Sequence, residues 1–131
     1  MNFRQQSFTL QLWYLKYGSG TAIDYGLFSQ CSFDGICLSL SVRNGRLFFS
    51  LDAMNPNGKI LLGRTITIDG YWYHVTVVYD ADLRQQAIYL NGRLDAMSAD
   101  PIEPYQGTTF SANTFIGLGF AVNFTSSYFH G

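Results

Sequence analysis

Glutamate is almost missing from this chain: Glu103 is the only one, set in Asp100-Pro101-Ile102-Glu103-Pro104. Glycoside hydrolysis needs two carboxylates, one to protonate the leaving group and one to attack or to activate water. No Glu-x-Asp-x-x-Glu strand motif supplies them. Asp80 and Asp82 are close in sequence, but Tyr79-Asp80-Ala81-Asp82-Leu83 reads as a turn in which Asp bonds its own backbone. Histidine is scarce as well, with His74 inside an aromatic strand and His130 near the end, and no Gly-x-Ser-x-Gly elbow offers a nucleophile. Gly117-Leu118-Gly119-Phe120 lacks the third glycine, the lysine and the following helix of a phosphate-binding loop. Basic residues number 8 against 9 acidic ones, for a formal charge of −1, so the chain lacks the surplus that binding to nucleic acid draws on. Arg43 and Arg46 form a small local patch, read here as a solvated hairpin tip. No segment is apolar for long enough to span a membrane. Met1-Asn2-Phe3-Arg4-Gln5-Gln6 leads into an alternating strand instead of the apolar core of a signal peptide.

What is present builds strands. The chain has 131 residues, 47% hydrophobic and 13% charged, with 13 glycines against 3 prolines. That is one domain with enough apolar surface for a core, folded through many tight turns. Tyr71-Trp72-Tyr73-His74-Val75-Thr76-Val77-Val78-Tyr79-Asp80 is dense in aromatic and β-branched residues, and Ala87–Leu90 follows as a second strand. Asn91-Gly92 then marks a two-residue hairpin with positive φ at both positions. Period-2 alternation sets Phe8, Leu10, Leu12 and Tyr14 on one face and Ser7, Thr9, Gln11 and Trp13 on the other. Ile36, Leu38, Leu40 and Val42 alternate in the same way with Cys37, Ser39, Ser41 and Arg43, the second set facing water. Asn44-Gly45 turns that strand back into Leu47, Phe49 and Leu51. Asp34-Gly35 and Asn57-Gly58 are further turn signals, and Gly18–Asp24 and Pro101–Gly107 read as loops. Strands with one buried face each demand two antiparallel sheets packed together, an all-β sandwich.

The two cysteines, Cys31 and Cys37, flank the Asp34-Gly35 turn and can face each other across a hairpin. A disulfide there would close a short loop in an oxidising compartment; the alternative is two buried thiols. Metal ligation by the pair lacks nearby histidines. Asn123-Phe124-Thr125 is a glycosylation sequon, which would require export.

Trp72-Tyr73-His74-Val75, Val78-Tyr79-Asp80 and Tyr89-Leu90-Asn91-Gly92-Arg93-Leu94 together resemble the laminin-G-like, concanavalin-A-like jelly-roll family. Ser7–Trp13 is similar to its opening strand, Leu27-Phe28-Ser29-Gln30 to its second, and Thr114-Phe115-Ile116-Gly117 to a late one. The likeness runs from about Ser7 to Gly119. It implies a single jelly-roll domain over residues 1–131, a piece of a longer secreted or cell-surface chain, lacking the terminal strand that would pair beside the first. It also implies a non-catalytic module for a glycan or an extracellular protein; a structural spacer against neighbouring domains is the alternative, and a glycoside hydrolase relative is disfavoured by the lone glutamate. Comparison with pentraxins implies calcium held by rim loops. Asp34 is its one candidate ligand, because Gly119-Phe120-Ala121-Val122-Asn123 carries no carboxylate. Sugar binding without metal points to Trp13, with Gln11 and Thr9, as an aromatic platform beside hydrogen-bonding groups. An exposed aromatic there equally suits a protein interface. Trp72 and Tyr73 are assigned to the core.

Overall fold

The computed structural model describes residues 2–16, 24–53, 55, 59–107, 113–116, 118–121 and 124–128. Among them the regular structure is all strand: β1 (Phe8–Tyr14), β2 (Tyr25–Cys31), β3 (Cys37–Arg43), β4 (Arg46–Ser50), β5 (Ile60–Leu62), β6 (Tyr73–Asp80), β7 (Gln85–Leu90), β8 (Arg93–Met97), β9 (Asn113–Ile116), β10 (Leu118–Ala121) and β11 (Phe124–Tyr128). A front sheet runs in the order β1-β6-β7-β8 and a back sheet in the order β5-β4-β3-β2-β9, with β10 and β11 as a separate pair. Every pairing is antiparallel. This is the two-sheet sandwich that one-sided strands require.

Two turns set the local registers. Asn44 and Gly45 have φ of 49° and 78°, and Asn91 and Gly92 have 51° and 79°, the left-handed pairs whose twist matches the flanking strands. They bring Arg43 opposite Arg46 and Leu90 opposite Arg93. Asp80 closes the β6–β7 connection as expected: its Oδ1 accepts from the backbone N–H groups of Asp82 (2.9 Å) and Leu83 (3.0 Å).

Between the sheets lies one core, in which Leu38, Leu40, Leu47 and Phe49 of the back sheet meet Val75, Val77, Tyr79 and Ile88 of the front sheet. Phe8, Leu10 and Leu12 pack against it from β1, on the face that their alternation assigned. Burying these side chains contributes about 1.5–3 kcal/mol each before chain entropy is counted. Tyr105 is fully buried, and its hydroxyl donates to the carbonyls of Gln30 (3.3 Å) and Ile36 (3.2 Å), tying residues 101–107 to the β2–β3 hairpin.

Two expectations fail. The second face of β3 is not wet: Ser39 is 1% exposed, and Ser29, Ser41 and Ser50 are also buried. The β10–β11 pair lies against β2 and β3, and short serine side chains are what permit another layer to approach a sheet closely. Trp72, assigned to the core, is 62% exposed. The strand begins one residue later, at Tyr73, and Trp72 has the parity of the outward residues His74, Thr76 and Val78. Tyr73 does pack on the core, stacked on Tyr14 with ring centroids 5.6 Å apart.

Candidate functional site

The front sheet presents its outer face to solvent. Strand β1 lies at the edge, and its alternation turns Thr9, Gln11 and Trp13 outward, all three exposed. Register with β6 places Trp13 opposite His74, Gln11 opposite Thr76 and Thr9 opposite Val78. The same rows continue across β7 and β8, where Thr76 faces Tyr89 and Tyr89 faces Leu94. Trp13 is 65% exposed, yet it is supported: its ring centroid lies 4.9 Å from that of His74. The backbone N–H of His74 donates to Asn91 Oδ1 at 2.9 Å, so the tip of the β7–β8 hairpin anchors the residue beside Trp13. Gln11 follows Trp13 on the same face at about 7 Å along the strand, within reach of hydroxyls on a ring laid over the indole. The arrangement offers a flat apolar surface flanked by an amide and a hydroxyl. The structure therefore brings Trp13, Gln11 and Thr9 onto one face. It adds His74, Tyr89 and Leu94, which single-strand alternation could not join because the β1–β6 pairing links distant parts of the chain.

Asp34 sits elsewhere, exposed at the tip of the β2–β3 turn, where its carboxylate accepts from the Ser32 hydroxyl. Among the described residues, no three His, Cys, Asp or Glu side chains converge. One carboxylate is a poor donor set for calcium, which takes six to eight oxygens. The sequon residue Asn123 and the Asn57-Gly58 turn lie outside the described residues. Cys31 and Cys37 are joined in a disulfide, with Cα atoms 4.1 Å apart.

Three further acidic groups, Glu103, Asp95 and Asp69, serve the fold. Glu103 pairs with Arg84. Asp95 is buried, and its carboxylate accepts from the backbone N–H of Arg64 (2.9 Å) and of Thr65 (3.2 Å) and from the Thr65 hydroxyl. It occupies the space next to Gly63, where an added Cβ would lie 2.5 Å from Asp95 Oδ2. The Lys16 ammonium, 1% exposed, bonds Asp69 Oδ1 at 2.7 Å.

A concavity opens at the β3–β4 turn, with a volume of about 530 Å³. Arg43 is not a solvated tip residue there. It is half-buried, with its guanidinium carbon 4.0 Å from the Phe48 ring centroid, and burial lowers its pKa while the nearby Asp24 charge opposes that shift. Arg46 and Phe48 both turn outward from β4, a parity that the alternation of Leu47 and Phe49 already contained.

The sequence profile of the Laminin G 3 family, the concanavalin A-like lectin/glucanases superfamily, matches residues 1–131. The chain belongs to that family. No sequence match was found among curated proteins. Among solved structures, the chain is similar to the Ruminococcus gnavus IT-sialidase CBM40, with a TM-score of 0.77 and 15% identity over 98% of this chain and 72% of that one. It is also similar to domains LG4-5 of the mouse laminin alpha1 chain (TM-score 0.66, 15% identity, 89% of this chain and 29% of that one). A third likeness is to the heptameric SAP-like pentraxin of Limulus polyphemus (TM-score 0.64, 16% identity, 98% of this chain and 60% of that one).

Proposed function

We propose that this chain is a non-catalytic recognition module that binds carbohydrate through the outer face of its front sheet, as part of an extracellular or cell-surface protein. The observation that carries this reading is Trp13, a large indole held out in solvent against His74 with Gln11 and Thr9 beside it on the same strand. An exposed indole with hydrogen-bonding neighbours in the same row is an open surface for pyranose C–H groups. The structure of the R. gnavus CBM40 bound to alpha2,3 sialyllactose supports the glycan class for this fold. The disulfide supports an oxidising home. This reading gives calcium no part in the binding step, since Asp34, the candidate ligand, lies at a different turn from Trp13.

The test is a broad glycan array probed with the folded chain, in calcium and again after EDTA, alongside Trp13→Ala. Signal that survives EDTA and drops at least about tenfold in the variant, the loss of one good aromatic contact, upholds the platform. Signal abolished by EDTA would overturn the metal-free reading and make Asp34 the next mutant. A blank array from folded protein would sink the carbohydrate reading.

A second reading is a structural or interaction domain that packs on neighbouring domains of its parent chain. Ile66, Ile68, Tyr71 and Trp72 favour it, since these large apolar side chains are all exposed within one short segment. Solvent protection of that segment in a longer parent chain, with no glycan signal, would select it.

A further inference from the structure

We propose that the recess at the β7–β8 hairpin is a second subsite, which takes a further unit of a neutral oligosaccharide whose first unit lies on Trp13. The inference deepens the carbohydrate reading above and rests on it. Thr65, Tyr73, Asn91, Arg93, Leu94 and Asp95 line the recess, whose volume is about 500 Å³, within the range of small-ligand sites.

Asn91 makes the recess continuous with the platform. Its Oδ1 accepts from the backbone N–H of His74 at 2.9 Å, and the His74 ring is the one that supports Trp13. The same side chain lines the recess, so one residue borders both. Leu94 lines it too and stands in the outward row that runs from Gln11 through Thr76 and Tyr89. Being 53% exposed, Leu94 offers an apolar surface to the C–H groups of a sugar ring.

The polar lining selects hydroxyl groups. Arg93 is exposed, and its guanidinium has no hydrogen-bond or ion-pair partner among the described residues. The Tyr73 hydroxyl accepts from the backbone N–H of Ile68 at 3.1 Å and keeps its own proton to donate. Thr65 has the opposite surplus: its hydroxyl gives its proton to Asp95 and keeps lone pairs to accept. An incoming anion would meet the Asp95 carboxylate and an incoming cation would meet Arg93. A neutral sugar, each of whose hydroxyls both donates and accepts, suits both signs at once.

Most of this set is ordered before any ligand arrives. Tyr89 pairs with Leu94 and Ile88 with Ala96, which leaves Asp95 as the extra residue of a bulge, free of the strand alternation. The backbone N–H groups of Arg64 and Thr65 then fix its carboxylate, and Tyr73 is held by its stack on Tyr14. Binding has little side-chain freedom left to remove.

The experiment is an NMR titration of the 15N-labelled chain with lactose, maltotriose, cellotriose and alpha2,3 sialyllactose. At least one neutral sugar is expected to give saturable shifts both at Gln11, Trp13 and His74 and at Thr65, Arg93, Leu94 and Asp95, fitted by a single affinity. Arg93→Ala should weaken that sugar about tenfold or more, the scale of one hydrogen bond to a charged group, while the rest of its spectrum stays that of the folded chain. Trp13→Ala should diminish both sets of shifts together. Shifts confined to Gln11, Trp13 and His74, with affinity unchanged in Arg93→Ala, would overturn the second subsite and leave the carbohydrate reading standing. Recess shifts from sialyllactose but from none of the neutral sugars would overturn the choice of a neutral ligand. No shift anywhere with any sugar would defeat both readings.

Discussion

Breaking Cys31–Cys37 tests whether the β2–β3 hairpin is held by its covalent link or by its hydrogen bonds. The two cysteines are 6 apart in sequence, and closing so small a loop removes about 2.3 kcal/mol of unfolded-state entropy in the chain-entropy treatment. In the folded state the turn has other supports. Ser32 N–H donates to Ile36 O at 2.9 Å and Gly35 N–H to Ser32 O at 3.0 Å, and the Tyr105 hydroxyl bonds Gln30 O and Ile36 O from the side. The native turn should therefore survive reduction, leaving the unfolded-state term as the whole effect. With an unfolding entropy of roughly 0.28 kcal/mol/K for a chain of this size, the melting temperature should fall by about 8 °C. Thermal melts with and without reductant, and of Cys31→Ala/Cys37→Ala, would measure it while a thiol count rises from zero to two. A shift under about 2 °C with both thiols free would show that the entropy argument fails here. Loss of the folded baseline on reduction would refute the claim that hydrogen bonds hold the turn.

Burial pushes the Tyr14 and Tyr105 phenols up to about 12. Because the folded state keeps protons that the unfolded chain loses, their stabilisation is full below about pH 10 and is lost as pH rises toward 12. The slope is about 1.4 kcal/mol per pH unit for each tyrosine. Urea midpoints across that window should fall and should flatten in Tyr105→Phe; ordinary ionisation of all 9 tyrosines near pH 10 without loss of stability would contradict it. Asp69→Asn leaves the Lys16 charge buried, at a cost of about 3–5 kcal/mol, read by chemical denaturation; replacing Lys16 by Met in the same variant should recover much of that. Asp95→Ala should cost about 2–3 kcal/mol and speed amide exchange at Arg64 and Thr65 first, whereas uniform exchange across the chain would deny that Asp95 clamps those residues.

The strands and hairpins were legible because their signals are local. Asn44-Gly45 and Asn91-Gly92 announce turn geometry in two residues, and alternation from Phe8 to Tyr14 assigns both faces of β1 before any partner is known. The adjacency of Trp13 and His74 was not legible, since 60 residues lie between the two and their strands pair only in the fold. Burial of Ser39 and Ser41 was hidden for a related reason: period-2 reading sees polar residues as wet and cannot see a later hairpin laid over them. Arg43 misled because charge beside a turn ordinarily means solvent, while Phe48, the ring it stacks on, belongs to the next strand.

Thr9, Gln11 and Trp13 hang from an edge strand, and among the described residues β1 pairs only with β6. Its other side is a row of backbone donors and acceptors. A segment that added itself there would set its own side chains next to the indole, so occupancy of the edge and occupancy of the platform become linked equilibria. On the proposed carbohydrate reading, thermodynamic reciprocity requires that whatever factor an added strand imposes on sugar affinity, sugar imposes on the strand. The neighbourhood of this domain in a longer chain would then act as a gain control on recognition, with no movement of the sandwich itself.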